Sequence, residues 1–440
     1  MDRLLMKDLV AWRNRPKRKP LILRGVRQVG KTWLLREFGK SYFADVCYVN
    51  FERNSQISSV FENSLNPNQI ITSLALFHGK PIIPEDTLII FDEIQEVPRA
   101  LTSLKYFAEE APEYYLCCAG SQLGYTLHEH TSFPVGKVEY LDLRPLSFYE
   151  FLMANGQGML ADSILNGNFD LMPFEYELIS LLKTYFVVGG MPASVQTWID
   201  THDYNAVDTV LDNLSSSYID DFAKHAPHSL SEKLRYVWQS IPSQLAKENK
   251  KFIFGLVREG ARAREYEETL MWLKDMGLIH RCGCITKPAL PLRAYEDLKA
   301  FKVFLMDVGV LRHLSGLSPA VLLEGSRVFE EFKGALTEQF VLQELLLLPS
   351  LNAGHYWTSS GKAEIDFVFS FGLNVFPLEV KAEMNVKAKS MKVYDNLYHP
   401  ERLFITSLRP YNTKERLTFI PLYMLFALEY ILKQPSESKS

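Results

Sequence analysis

Leu21-Ile22-Leu23-Arg24-Gly25-Val26-Arg27-Gln28-Val29-Gly30-Lys31-Thr32-Trp33-Leu34-Leu35 is the stretch that decides the fold class of this chain. Leu21 to Leu23 read as a short apolar strand, Gly25 to Thr32 fit the pattern G-x-x-x-x-G-K-S/T, and Trp33, Leu34, Leu35 and Phe38 open a helix directly behind it. The glycines let the backbone bend, so that Gly25, Val26, Arg27, Gln28, Val29, Gly30, Lys31, Thr32 and Trp33 aim successive N–H groups and a helix N-terminus at phosphate oxygens. Lys31 is then set to neutralise the β/γ oxygens and Thr32 to ligate Mg²⁺. The chemistry expected is binding of ATP with Mg²⁺; the bland alternative is a glycine-rich turn carrying a solvated lysine.

Working outward, apolar strands are expected at Val46 to Phe51, Thr87 to Phe91, Tyr114 to Ala119 and Val138 to Leu143, with helices between them. Most are continuous apolar runs, as strands covered on both faces of a parallel sheet should be. Residues 1–145 therefore read as an α/β layer domain. Its third strand runs into Asp92-Glu93, two carboxylates that a buried strand tolerates only where its end opens on a charged ligand. Asp92 is the expected Mg²⁺ holder and Glu93 the group that polarises an attacking water. Val46 to Phe51 reads as an inserted strand, and Ser121, at the tip of the strand that follows the carboxylates, as the residue sensing the γ-phosphate or that water.

The remainder divides by pattern into a helical lid at 146–228, a winged-helix-like segment at 229–324 and a second α/β domain at 325–440. In the winged segment, Ala261 to Met276 reads as the recognition helix, with Arg258, Arg262 and Arg264 near its N-terminal end and Glu265, Glu267 and Glu268 among them. Mixed charge suits DNA contact or docking against another domain, and both readings stay open. A chain of 440 residues has room for about three cores at roughly 150 residues each, which excludes a peptide or a disulfide scaffold. With 48 Lys and Arg against 52 Asp and Glu, a net charge of -4 gives no general pull toward polyanions, so nucleic acid must be met by a local patch such as Arg13 to Lys19. Five cysteines without a secretory leader point to free thiols and the cytosol. No stretch of about 18 uncharged apolar residues is present, so no membrane span is expected.

Gly25 to Thr32, Phe91-Asp92-Glu93-Ile94-Gln95, Ala119-Gly120-Ser121 and Leu143-Arg144-Pro145-Leu146-Ser147-Phe148 resemble the prokaryotic AAA-type ATP-binding proteins that carry a large C-terminal domain of unknown function. Tyr185 to Pro192, Ala261 to Tyr266 and Gly334-Ala335-Leu336-Thr337-Glu338 extend the resemblance over nearly the whole chain. It implies an α/β protein with a P-loop ATPase sheet, a helical lid, a winged helix and a restriction-endonuclease-like end. Gln122 departs from the pattern, which has a second small hydroxyl residue after Ser121. The resemblance also implies self-association on ATP binding, with Arg27, Arg99 and Arg144 as arginine-finger candidates by position.

The C-terminal carboxylates follow the D-x12-E-x-K arrangement of restriction-like nucleases, matching at Asp366, Glu379 and Lys381. A hairpin closing near Gly372 brings Asp366 opposite about residue 378, within reach of one Mg²⁺ shared with Glu379. Lys381 shares a face with Glu379 and is placed to orient or activate water, and Glu338 on the preceding helix is a further metal-ligand candidate. DNA is the partner this set implies. The alternative is an ATP-gated scaffold for DNA or protein in which these carboxylates do no chemistry.

Overall fold

The computed structural model describes residues 1–120, 134–247, 250–324, 330–359, 363–382 and 389–434. The chain divides into two compact units, one formed by Asp2–Arg144 with Asp275–Gly277, the other by Pro145–Lys274 and the residues from Leu278 onward.

The first unit is built on β1 (Leu21–Arg24), β2 (Asp45–Asn50), β3 (Thr87–Asp92), β4 (Tyr115–Ala119) and β5 (Glu139–Asp142) in the order β2-β3-β4-β1-β5. Every pairing is parallel. The central strands β3 and β4 are buried along their whole length, whereas the edge strands β2 and β5 alternate, which is what their positions require. The expected strands are all present, with one change of place: the strand inserted between β1 and β3 is β4, while β2 lies at the edge beyond β3. Helices Lys31–Tyr42, Ser55–Asn63, Pro67–His78 and Pro98–Glu110 cover the sheet. Local chemistry fixes their ends. Asn66 caps Pro67–His78 by accepting from Asn68 N and Gln69 N, proline takes the first turn where no N–H is needed, and Gly79 closes the helix in the left-handed region.

The second unit begins with helices from Phe148–Ala154 through Ala263–Asp275 and ends in a sheet of β6 (Ile279–Ile285), β7 (Glu296–Leu305), β8 (Asn352–Thr358), β9 (Glu364–Phe371), β10 (Asn374–Val380), β11 (Leu403–Ser407), β12 (Asn412–Lys414) and β13 (Leu417–Pro421). Its order is β12-β13-β11-β10-β9-β8-β6-β7. The hairpin β6–β7, which lies inside the segment expected at 229–324, pairs through β6 with β8 and so continues the C-terminal sheet across residue 324. Sequence patterning registers each strand but not its neighbours, which is why the joint sheet was invisible to it.

Several motifs of the resemblance serve this unit's packing. Fully buried Asp307 accepts from Gly190 N at 2.6 Å and Val310 N at 3.0 Å, and a Cβ on Gly189 would meet its Oδ1 at 2.2 Å. Gln343 accepts from Val308 N and donates to Tyr185 OH, which in turn donates to Leu146 O. Glu344 accepts from Phe148 N at 2.8 Å; burial, with Glu150 adding to it, raises its carboxyl to about 8, so it stays largely protonated at neutral pH. These bonds satisfy backbone groups that burial would otherwise leave unpaired.

Candidate functional site

The loop after β1 supplies the first site. Gly25 has φ +151°, and a Cβ there would lie 2.3 Å from Leu143 O, so no other residue fits without moving backbone. Gly30, at φ 97°, hands the chain to the helix beginning at Lys31. Val26 and Val29 are buried beneath the loop, while Arg27 and Gln28 are exposed and Gln28 adopts φ 64°. Lys31 is itself buried and its Nζ donates to Gly25 O at 2.8 Å and Val26 O at 2.9 Å. Burial lowers its pKa to about 8, against the opposing pull of Glu93 and then Asp92. An ammonium held in this way lacks a full counter-charge, and phosphate oxygens would supply it.

Asp92 ends β3 and is buried. Its Oδ2 accepts from Thr32 Oγ1 at 3.0 Å and from Tyr48 OH at 2.6 Å, with Asn50 Nδ2 at 3.5 Å. A hydroxyl and a carboxylate side by side form the hard oxygen pair that suits Mg²⁺, so the residues present fit that ion. Burial first, and then the bond to Asp92, push the Tyr48 phenol up to about 12, keeping it a donor. Tyr48 and Asn50 were not anticipated from sequence. Both lie on β2, whose pairing puts Asn50 opposite Asp92, and their spacing of two was the available signal. Glu93 follows at φ 52°, in the left-handed region that turns the chain away from the strand, and its carboxylate accepts from Gln95 Nε2 at 2.6 Å. Trp33 is 45% exposed and, with Thr32, Arg36, Glu37, Lys40, Val46 and Tyr48, lines a cavity of about 630 Å³. Ser121 and Gln122 lie outside the described residues. Of the arginine candidates, Arg99 donates to Phe61 O at 2.7 Å, Arg144 is drawn below its ordinary pKa by burial, and Arg27 is exposed in the loop.

The second site gathers on the C-terminal sheet. Asn374 to Leu378 pair antiparallel with Phe367 to Phe371 around Gly372; Leu378 faces Phe367, so the register continued by one residue sets Glu379, and not residue 378, opposite Asp366. Asp366 Oδ2 accepts from Val380 N at 2.7 Å. Burial, with Glu338 adding to it, raises the Asp366 carboxyl to about 7. Lys381 Nζ sits 2.8 Å from Glu379 Oε1; burial alone would lower its pKa, but Glu379 holds it above the usual lysine value. Glu338 is on helix Glu330–Leu345 and pairs with two lysines that sequence reasoning missed, Lys250 and Lys302. Lys302 Nζ also bonds Glu364 at 2.5 Å and lies 4.8 Å from the centre of the Tyr356 ring. Two signals were present: Lys302 interrupts the apolar run from Ala300 to Leu305, and Glu364 stands two residues before Asp366 on one face. Among the described residues no group of three acidic, His or Cys side chains is arranged to hold a metal ion. Lysine pairing claims Glu338 instead. Asp366 and Glu379 remain as a pair, the number Mg²⁺ takes when water and phosphate complete its shell, and Glu379 Oε2 is buried with no hydrogen-bond partner.

Sheet order, phosphate loop and the Thr32–Asp92 pair together define the first unit as an AAA-type, P-loop ATPase-like domain, and residues 17–152 match the family model described as AAA domain. Residues 179–321 and 333–425 match two further models, each described as a domain of unknown function, DUF8612 and DUF4143. No curated protein matches the chain in sequence. Among solved structures, a Walker-type ATPase of Pyrococcus abyssi is 16% identical, with 71% of this chain and 95% of that one covered at a TM-score of 0.41. The Aeropyrum pernix ORC1 protein, solved in complex with DNA, is 14% identical over 71% and 90% at 0.27, and protein VC1899 from Vibrio cholerae 12% identical over 94% and 97% at 0.18. No helix among the described residues is long and apolar enough to cross a membrane.

Proposed function

We propose that the first unit binds and hydrolyses ATP. The observation that carries this reading is Lys31, buried with its ammonium donating to two carbonyls of its own loop, beside the Thr32–Asp92 hydrogen bond. The loop amides and Lys31 bind and orient the β- and γ-phosphates, and Thr32 and Asp92 would hold Mg²⁺, which when bound neutralises charge on the phosphate oxygens. Glu93 takes the proton of the attacking water, and Ser121 senses the γ-phosphate. Two observations support this part for Glu93: it is the stronger of the two acidic influences on Lys31, and its carboxylate accepts from Gln95. An arginine donated by a second copy on ATP-driven association would complete the charge compensation; Arg99 is already engaged by Phe61 O.

Within the second unit we assign 146–228 to a lid, 229–324 to a winged-helix-like segment, and 325–440 to a restriction-endonuclease-like fold whose sheet is extended by the β6–β7 hairpin of the preceding segment. Asp366 and Glu379 would hold Mg²⁺ and Lys381 would orient the water for phosphodiester hydrolysis of DNA; the register that sets Asp366 opposite Glu379 supports this. A second reading, an ATP-gated scaffold without cleavage, is favoured by the lysines already paired with carboxylates in that cluster. ATP turnover and DNA cleavage, measured side by side with and without Mg²⁺ and DNA, separate the two. Asp366→Ala should stop cleavage and leave ATP hydrolysis intact, whereas absence of cleavage by the wild type selects the scaffold.

A further inference from the structure

The peptide that joins Val29 to Gly30 is the last link of the phosphate loop before the helix that starts at Lys31. Gly30 stands at φ 97°, and glycine takes either sign of φ at little cost, so the chain itself does not fix which way this peptide plane faces. In a trans peptide the carbonyl and the following N–H point in opposite directions. Whatever holds Val29 O therefore decides where Gly30 N–H is aimed.

Arg3 holds it. This residue precedes helix Met6–Arg13 and is 8% exposed; its Nη1 donates to Val29 O at 3.2 Å while Nη2 donates to Arg144 O. All of these residues belong to the first unit. Both ends of the bridge are anchored. Arg3 O accepts from Met6 N at 3.0 Å, and the helix that follows buries Leu9 and Trp12, the Trp12 ring centre lying 6.4 Å from that of Phe38 on the helix behind the loop. Arg144 lies just beyond β5, where Asp142 pairs with Arg24 and Leu143 N donates to Arg24 O at 2.7 Å. The same strand end lays Leu143 O against Gly25, so the loop is gripped at its first glycine by backbone and at its last through Arg3. A planar fork with separate N–H groups suits two carbonyls at once, and a buried cation is tolerated where such acceptors meet it.

We propose that Arg3 is a positioning residue for ATP: by holding Val29 O on the side of the loop away from the ligand, it aims Gly30 N–H into the phosphate cradle. The proposal rests on the reading of the first unit as an ATPase. Arg3 acts through the loop backbone and not on the phosphates. Without it the Val29–Gly30 peptide turns between two orientations, one presenting an amide to the phosphates and the other a carbonyl oxygen that repels them. A loop competent for about a tenth of the time binds with about a tenth of the affinity, yet the ATP it does bind sits in the working loop.

The test is steady-state ATP hydrolysis by the full chain, with hydrogen exchange of the nucleotide-free protein read by mass spectrometry. Arg3→Met keeps an unbranched stem and removes the fork; its KM for ATP should rise about tenfold while kcat stays within about twofold of wild type. Arg3→Lys keeps the cation but offers one ammonium to two carbonyls, and should raise KM about threefold at the same kcat. Exchange over residues 26–30 should quicken several-fold in both variants and stay as in wild type over β3. A fall in kcat with KM unchanged, or faster exchange throughout the sheet, would overturn the proposal in favour of a general brace. If Arg3→Met does not fold, Arg3→Lys decides: a KM equal to that of wild type overturns the positioning role while the ATPase reading stands. Wild type that neither binds nor hydrolyses ATP overturns both.

Discussion

Tyr48→Phe removes one oxygen from the centre of the nucleotide site and leaves the ring in place. The lost bond is the 2.6 Å donation to Asp92 Oδ2, an oxygen that also accepts from Thr32 at 3.0 Å. A hydrogen bond to a charged acceptor contributes about 1.5–3 kcal/mol, which corresponds to roughly 10- to 150-fold in an equilibrium constant. Asp92 keeps its Thr32 bond, so the loss falls on orientation of the carboxylate and not on its presence. The Tyr48 hydroxyl bonds Asp92 and Asn50, and the Arg36 guanidinium, 4.9 Å from the ring centre, can stack on Phe as on Tyr. The expected outcome is therefore selective: the Mg²⁺ concentration giving half-maximal ATP hydrolysis rises about 10- to 100-fold, while nucleotide affinity without Mg²⁺ stays within about twofold. Steady-state turnover across a Mg²⁺ titration, paired with equilibrium binding of a fluorescent nucleotide in chelator, reads both. An unchanged Mg²⁺ requirement would refute the role given to Tyr48 and weaken the assignment of Asp92.

Lys31 is lowered to about 8 by burial, so above that pH nucleotide binding must first protonate it; affinity should fall about tenfold per pH unit beyond 8 and be flat below, as equilibrium titrations from pH 6 to 10 would show. Gly25→Ala sets a Cβ 2.3 Å from Leu143 O, and the backbone shift this forces should cost about 2–4 kcal/mol in thermal unfolding and abolish nucleotide binding. Asp366 holds its proton up to about 7 in the folded state but would release it near 3.8 when unfolded, so the folded protein loses stability from this group as pH rises between those values. Asp366→Asn should remove that loss and be more stable than wild type at pH 8 by about 1–4 kcal/mol, with little difference at pH 4 in matched melts.

The elements were legible wherever a local pattern determined them. Leu21 to Thr32 and Leu88 to Glu93 carry both the strand and the ligand-facing end in consecutive residues, and the structure joins them through Thr32 and Asp92. The Gly372 hairpin was likewise legible from turn chemistry, and its register falls within one residue of the pairing expected for Asp366. What was hidden depends on partners distant in the chain. Tyr48 reaches Asp92 only because β2 pairs with β3, and Lys302 reaches Glu364 only because β7 joins the C-terminal sheet through β6 and β8. The buried Asp307 and Gln343 bonds show the same limit: Gly189-Gly190 looked like punctuation between helices, while its need for glycine comes from a carboxylate more than a hundred residues away.

The central claim, that the first unit hydrolyses ATP with Glu93 as the base, is tested most directly by ATP turnover and ATP–Mg²⁺ binding of Glu93→Gln beside wild type. Glutamine keeps the shape and the contact with Gln95 but cannot take the water's proton. The account predicts binding equal to wild type with turnover lower by at least about 100-fold. Turnover equal to wild type would contradict it.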